Sequence, residues 1–302
     1  MLHQRAQDDG ADAVLGRFMP FEPSAAPAYI FCAINLGLCC VFLFHILRKR
    51  DWYALALPTG CLVQAIGYVN KVRFHSNPTF GLYFSGDLFV QIAPVAYLAF
   101  NYILLGRIAH VLESSPSITK SKRRLVGISP RWVKTLFVWS DVVTLLVQVA
   151  GGLMKISGDV ATLGHYIGLI GIGLQLFSYI IYTSLLRRCQ RSCPNLKQDE
   201  AGCGRSAIHL FRVLWLSSVF IVIRLLYRII ELAPGPDSRI SASQACFYLL
   251  DALPLVFALA PYTLAWPSRV FPAISFRGRP PVPSGEDTIS KLPLTHTPYQ
   301  HA

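Results

Sequence analysis

Polar and ionisable side chains recur at helical intervals inside long apolar stretches of this 302-residue chain. Most of their offsets are three, four or seven residues, which places each set on one face of a helix. Such groups can bind a polar or charged ligand, and a carboxyl among them can serve as a general acid or base. The five stripes are Gln64, Tyr68 and Lys71; Asp87, Gln91 and Asn101; Asp141 and Gln148; Arg224, Arg228 and Glu231; and Gln244, Tyr248 and Asp251.

The charges within these stripes need partners. Arg224 and Arg228 lie one helical turn apart and repel each other unless acids intervene. Glu231 reaches Arg228 at i+3, and Asp141 and Asp251 are the other acids deep in apolar stretches. We expect an Arg–Asp link between the stretch of Arg228 and that of Asp251. Such a link either only stabilises the helix pair or forms part of a working site, and the sequence leaves both possibilities open.

Composition indicates the medium in which these stripes lie. Hydrophobic residues make up 53% of the chain and charged residues only 15%, against about 25% in an average soluble domain. The formal charge is nevertheless +12. So apolar a composition excludes a disordered chain, and nucleic-acid binding would explain the positive charge but not the apolar residues. The sequence predicts a membrane protein with its charges concentrated in loops.

Seven windows are apolar and long enough to cross a bilayer as helices, which takes about 20 residues each. The predicted fold is therefore an all-α, polytopic, seven-transmembrane helix bundle. We number these windows as spans 1 to 7. They are 28–47, 52–70, 84–105, 135–154, 161–186, 213–233 and 245–266.

Lys and Arg predict the orientation of the spans. Of the 28 Lys and Arg residues, twenty lie in the loops after spans 1, 3 and 5 or in the C-terminal tail, which all face the same side of the membrane. Six lie on the other side, and two lie within span 6. Positive loops stay in the cytoplasm, so we predict the N-terminus outside and the C-terminus inside. The expected organisation is an extracytoplasmic arm (1–26), a transmembrane domain (27–270) and a disordered cytoplasmic tail (271–302).

The simplest arrangement turns all five polar stripes inward, into one polar interior that can hold a headgroup. Span 5 instead presents Gly164, Gly168 and Gly171 on one face, which predicts close helix packing rather than binding. The predicted substrate-binding residues are Gln64, Tyr68, Asp141, Gln148, Arg224, Arg228, Glu231, Tyr248 and Asp251.

No motif points to a cofactor. The sequence has no His-Glu-x-x-His metal motif, no Gly-x-Ser-x-Gly nucleophile and no nucleotide-binding loop. We therefore expect no cofactor, no bound metal and no nucleic-acid partner. A haem ligated by His45 or His165 is a minor alternative.

Short motifs in and next to spans 1 to 7, taken in their order along the chain and with their spacings, resemble those of the fungal RTA-like family. These are the lipid-translocating exporters named for resistance to aminocholesterol. The resemblance covers roughly residues 21–270. The matching residues are Pro23-Ser24, His45, Gly67-Tyr68, Ala93-Pro94, Tyr102, Gly106-Arg107, Asp141, Gln148, Gly151-Gly152, Gly164, Gly171, Gln175, Arg224, Tyr227-Arg228, Glu231, Tyr248 and Asp251.

The chain departs from the family pattern at four other positions. Family members usually carry Glu at the positions of Gln64 and Gln244, Arg at Lys71, and His-Pro where this chain has Trp266-Pro267. Amides cannot ionise, so any proton or amine chemistry of those carboxylates would be lost here. This pattern indicates a divergent member.

The resemblance implies a fungal source and transport of, or resistance to, lipid-like molecules such as sphingoid bases, sterol-like amines or porphyrins. With no ATP site, transport would be passive, gradient-driven or indirect. The expected partners are an amphiphilic small molecule or lipid and the lipids of a plasma membrane or endomembrane. Two alternatives remain open: an intramembrane cyclase or isomerase of secondary metabolism that uses Asp141, Glu231 or Asp251, and a seven-helix receptor-like sensor.

Overall fold

A computed structural model describes residues 25–77, 79–114, 130–154, 160–191, 203–233, 243–270 and 274. The described residues contain helices and no strands, and seven helices are long and apolar enough to cross a membrane. This result confirms the predicted seven-helix, multi-pass membrane fold. The orientation of the bundle stays a prediction. The predicted arm and tail lie outside the described residues, apart from residues 25, 26 and 274.

The spans extend the predicted windows at most of their ends, and only Ala233 of those windows falls outside them. They are Ala25–Lys49, Trp52–Ser76, Gly81–His110, Thr135–Met154, Ala161–Arg191, Ile208–Leu232 and Gln244–Val270. The helices of spans 3, 4 and 6 run further, over Phe80–Ser114, Pro130–Met154 and Cys203–Leu232. Span 2 begins with a 3-10 turn, Trp52–Leu55, followed by the α-helix Ala56–Ser76. These extensions carry basic and polar residues that hydropathy alone places outside the bilayer.

Span 7 is the irregular helix of the bundle. It comprises a short α-helix, Gln244–Phe247, a π-helical turn, Tyr248–Ala252, and a second α-helix, Leu253–Leu264. A short helix, Pro267–Val270, ends the span. Pro254 is the second residue of the second α-helix and has no backbone N–H, so it cannot complete a regular ladder of hydrogen bonds with the turn before it. The π-helical turn carries Tyr248 and Asp251 at the level where the ladder is interrupted.

Spans that follow one another in the chain pack side by side, and span 7 also packs against span 1. Large apolar side chains such as Leu47, Trp139 and Phe177 remain exposed on the outer surface of the bundle. Lipid tails are as apolar as these side chains, so their exposure to a membrane carries no free-energy penalty. The interior of the bundle, by contrast, is rich in tyrosine. The fully buried aromatic residues include Tyr68, Tyr97, Tyr179, Tyr182 and Tyr262.

The glycine face of span 5 packs against span 4, as predicted. A side chain at Gly151 of span 4 would lie 2.6 Å from the backbone of both Gly164 and Gly168, and one at Gly171 would lie 2.7 Å from the side chain of Gln148. Spans 4 and 5 therefore approach to backbone contact at these small residues.

Replacing Gly151 with alanine should destabilise the protein by about 1–3 kcal/mol, because its methyl group would force the two backbones apart. Thermal unfolding in detergent micelles would measure the loss. The neighbouring Gly152 provides a matched control, since a side chain there meets nothing within 4 Å. Equal melting temperatures for Gly151→Ala and Gly152→Ala would contradict the close approach.

The predicted cytoplasmic end of the bundle has a buried acid of its own. The carboxylate of Asp51 accepts hydrogen bonds from the indole N–H of Trp266, at 2.8 Å, and from the hydroxyl of Ser268. The ring of Trp266 stacks on His45, with centroids 5.0 Å apart. The turn between spans 1 and 2 is thereby joined to the end of span 7.

Candidate functional site

The charged residues of spans 6 and 7 form a buried network. Arg228 donates from Nε to Oδ1 of Asp251 at 2.6 Å and from Nη2 to Oδ2 at 3.0 Å. Its Nη1 donates to Glu231 at 3.2 Å, and Nε of Arg224 lies 3.1 Å from Oδ1 of Asp251. The side chain of Asp251 is 0% exposed. The predicted Arg–Asp link between spans 6 and 7 is confirmed, as is the i+3 pair of Arg228 and Glu231.

Local geometry explains this convergence. Offsets of four and three residues place Arg224, Arg228 and Glu231 on one face of span 6. The π-helical turn of span 7 carries Asp251 against that face. Two guanidinium groups and a carboxylate in hydrocarbon depend on each other, because each is very costly there without a partner of opposite charge.

A second ion pair lies where spans 2 and 3 meet at the predicted outer end. Lys71 donates to Asp87 at 2.7 Å, and the two side chains are 19% and 42% exposed. The ring of Phe247 joins this pair to the deeper network, with Lys71 Nζ 4.6 Å and Arg228 Cζ 5.5 Å from its centroid. Exposure thus falls from Asp87 to Asp251, along a row of charged groups. We call Lys71, Asp87, Arg224, Arg228, Glu231 and Asp251 the ionic cluster.

An amide and aromatic wall lies beside the ionic cluster. Gln64 accepts a hydrogen bond from the hydroxyl of Tyr97 at 2.7 Å and donates one to the hydroxyl of Tyr68 at 3.2 Å. The rings of Tyr68 and Tyr248 stack with centroids 6.2 Å apart, and Phe31 stacks on Tyr248 at 5.3 Å. The carbonyl and the amino group of Gln64 are both used, so the amide fits a role that needs an acceptor and a donor.

Two predicted site residues make their hydrogen bonds elsewhere. Asp141 accepts from the hydroxyl of Tyr102 at 2.8 Å. Within the described residues it forms no ion pair, so Asp251 is the one of the two deep acids that pairs with arginine. Gln148 accepts from Gln91 at 2.5 Å and donates to Gln175 at 2.9 Å. Gln175, on the packing face of span 5, therefore takes part in a polar contact that its glycine neighbours did not suggest.

In the described part of the chain, the hydrogen bonds between polar side chains of the interior fall into several groups. Besides the groups above, Asn101 accepts from Tyr262 at 2.8 Å and donates to Ser217 at 3.3 Å. The side chains of the five stripes thus do not all share one set of partners. The expectation of one shared interior is therefore replaced by several hydrogen-bonded groups.

Several residues of the site carried no clear sequence signal. Phe31, Tyr97 and Phe247 are aromatic residues in apolar spans, where such residues are common. Lys71 and Asp87 did appear in the stripes, but their pairing requires spans 2 and 3 to be neighbours. Because spans 2 and 3 follow each other in the chain, the sequence could have suggested that they are neighbours and that these two residues pair.

Metal binding finds no support in the described part of the chain, where no group of three His, Cys, Asp or Glu residues could hold an ion. His45, one of the two residues considered for haem, stacks on Trp266. The site is thus best described as a row of ion pairs flanked by amides and aromatic rings.

Comparison with known protein families gives a match over most of the chain: the family described as "RTA1 like protein" matches residues 57–274. A protein of Saccharomyces cerevisiae named protoporphyrin uptake protein 1 is 28% identical over 68% of this chain and 66% of its own length, which is just under two thirds. The probable lipid transporter atnI of Emericella nidulans is 25% identical over 84% of this chain and 68% of its own length. The sphingoid long-chain base transporter RSB1 of Saccharomyces cerevisiae is 24% identical over 85% and 75%. No solved structure matches the chain.

Proposed function

The chain belongs to the RTA1-like protein family, and we propose that it is an integral membrane transporter of lipid-like molecules that moves its substrate without hydrolysing ATP. The expected substrate is an amphiphilic small molecule, and the direction expected from the family resemblance is efflux. Relatives named as a probable lipid transporter and as a sphingoid long-chain base transporter support this class of substrate.

The observation that carries the proposal is the graded row of charges. Ionisable groups inside a membrane are costly and usually face a pathway or a binding site. Here the side chains run from 42% exposed at Asp87 to 0% at Asp251. A headgroup can exchange its contacts along such a row, while its hydrocarbon chain stays in the surrounding lipid.

The proposal assigns the headgroup to the ionic cluster and its wall. Lys71 and Asp87 meet it first, and Phe247 offers a ring face on the way inward. The predicted binding residues around the deeper position are Gln64, Tyr68, Arg224, Arg228, Glu231, Tyr248 and Asp251. For Asp141 and Gln148, the proposal is an indirect part in binding, because their own hydrogen bonds connect spans 3, 4 and 5.

The proposal can be tested by reconstituting the full chain in liposomes without ATP. A fluorescent, NBD-labelled amphiphile in the inner leaflet should become accessible to dithionite faster than in protein-free liposomes. Lys71→Gln should slow this rate about tenfold, since it removes one charge-assisted contact at the point of entry.

Arg73→Gln is the matched control, because Arg73 is an exposed cation two residues away on the same helix. It should transport at the rate of the unaltered protein. Several amphiphiles with acidic, basic and neutral headgroups would be compared. The same rate in liposomes with and without the protein, for all of them, would refute the proposed function.

A further inference from the structure

Arg224 presents a guanidinium edge without a hydrogen-bond acceptor in the described part of the chain. Its Nε and Nη2 atoms are buried and make no hydrogen bond there, and the residue is only 4% exposed. Nε lies within ion-pair distance of Asp251, at 3.1 Å, but that contact does not have hydrogen-bond geometry. Because a guanidinium does not lose its proton in proteins, this edge is a charged donor pair deep in the bundle.

The nearby carboxylates are already engaged by other cations. Both oxygens of Asp251 accept from Arg228, and Glu231 accepts from Nη1 of the same arginine. Asp87 pairs with Lys71. Arg224 therefore shares a single oxygen of Asp251 with Arg228 and lacks an aligned carboxylate of its own.

Neutral groups also lie near Arg224. Tyr68 and Tyr97 are close enough to interact with it electrostatically. Gln64 fixes both tyrosines, since it accepts from Tyr97 and donates to Tyr68. These neighbours of Arg224 are neutral, so they do not balance its charge.

The chemistry that fits this edge is a pair of oxygens with negative charge. The Nε and Nη2 hydrogens of arginine are parallel and match the two oxygens of a carboxylate or phosphate. We infer that Arg224 is a binding site for the carboxylate or phosphate headgroup of an acidic amphiphile. This inference rests on the proposed function only in that the ligand is taken to be the transported molecule.

Headgroup preference can be measured by binding alone, with the full chain in nanodiscs of phosphatidylcholine and empty nanodiscs as the blank. Oleate, oleyl phosphate, oleylamine and oleyl alcohol share one type of hydrocarbon chain and differ in the headgroup. Oleate and oleyl phosphate should bind at least about tenfold more tightly than the amine or the alcohol, because only they accept two charged hydrogen bonds. Acetate and inorganic phosphate distinguish a free anion from a lipid headgroup, and both should bind far more weakly than oleate.

Variants of Arg224 localise the effect. Arg224→Lys keeps the positive charge but lacks the two-hydrogen edge, so it should weaken oleate binding about tenfold and leave oleyl alcohol unchanged. Arg212→Lys is the matched control, since Arg212 is an exposed arginine on the same helix. If Arg224→Lys does not fold, the ranking of headgroups on the unaltered protein still decides.

Several results would overturn the inference. Equal affinity for oleate, oleyl phosphate, oleylamine and oleyl alcohol, or tighter binding of the amine, would show that the edge selects no oxyanion. Oleate binding that survives Arg224→Lys would place the site elsewhere, and acetate binding as tight as oleate would identify a simple anion site. Transport is a separate readout: a preference for oleate without movement in liposomes would remove the proposed function and keep the binding site.

Discussion

Replacing Asp251 with asparagine should lower the free energy of unfolding by about 3–5 kcal/mol, the usual cost of leaving a buried charge without its partner. Asp251 is the acid nearest to two arginines, accepting from Arg228 at 2.6 and 3.0 Å and lying 3.1 Å from Arg224. Asparagine has nearly the same shape but no charge, so the loss reports the electrostatic contribution. Unfolding of the purified protein in mixed micelles, followed by circular dichroism, would measure it.

The control for this experiment is Asp87→Asn. Asp87 is also paired with a cation, but its side chain is 42% exposed, and exposed pairs contribute about 0–1 kcal/mol. The double variant Arg228→Gln, Asp251→Asn should recover part of the loss, since it removes one unpaired charge together with its partner. A loss at Asp251 no larger than that at Asp87 would mean that the two arginines do not depend on this carboxylate.

Replacing Trp266 with alanine should cost about 3–5 kcal/mol, the range for removing a large buried aromatic side chain. Trp266 is fully buried, stacks on His45 and lies 6.3 Å from the ring centroid of Phe42. Its loss would leave a cavity and would remove the indole donor from the buried carboxylate of Asp51. The melting temperature in detergent would fall accordingly.

Two further substitutions separate the contributions at this end of the bundle. Trp139→Ala removes the same side chain from an exposed position on span 4, where 65% of the residue is accessible, and should have little effect. Trp266→Phe keeps a ring but not the N–H, and should cost about 1–3 kcal/mol for the hydrogen bond lost to the buried carboxylate of Asp51. If Trp266→Phe is as stable as the unaltered protein, the hydrogen bond to Asp51 contributes nothing.

The sequence was sufficient for the spans because hydrophobicity over about 20 residues is a local property of the chain. It was also sufficient for an Arg–Asp link between spans 6 and 7, but not for which arginine donates to Asp251. Few charges occur within the spans, and a buried arginine needs a carboxylate, so the choice of partners was small. The helical offsets within span 6 then identified Glu231 as a second partner for Arg228.

The division of the polar interior was beyond the reach of the sequence. Asp141 and Arg224 looked equally suited to one shared site, because both are ionisable residues in apolar spans. Their partners depend on how the spans pack: Tyr102 of span 3 donates to Asp141 of span 4, whereas Arg224 of span 6 lies beside Asp251 of span 7. The departures at Gln64 and Trp266 likewise acquire a physical role only in the fold, as partners of Tyr97 and Asp51.

The sequence by itself determined the seven helices, the family and the presence of charges that need partners within the membrane. These follow from composition and from the spacing of residues along single helices. Only the tertiary structure decided which charges meet, that a π-helical turn carries Asp251 to Arg228, and that Nε and Nη2 of Arg224 make no hydrogen bond in the described part of the chain. The reason is physical: side-chain pairs between helices depend on depth, rotation and packing distance, and none of these is encoded in the periodicity of one helix.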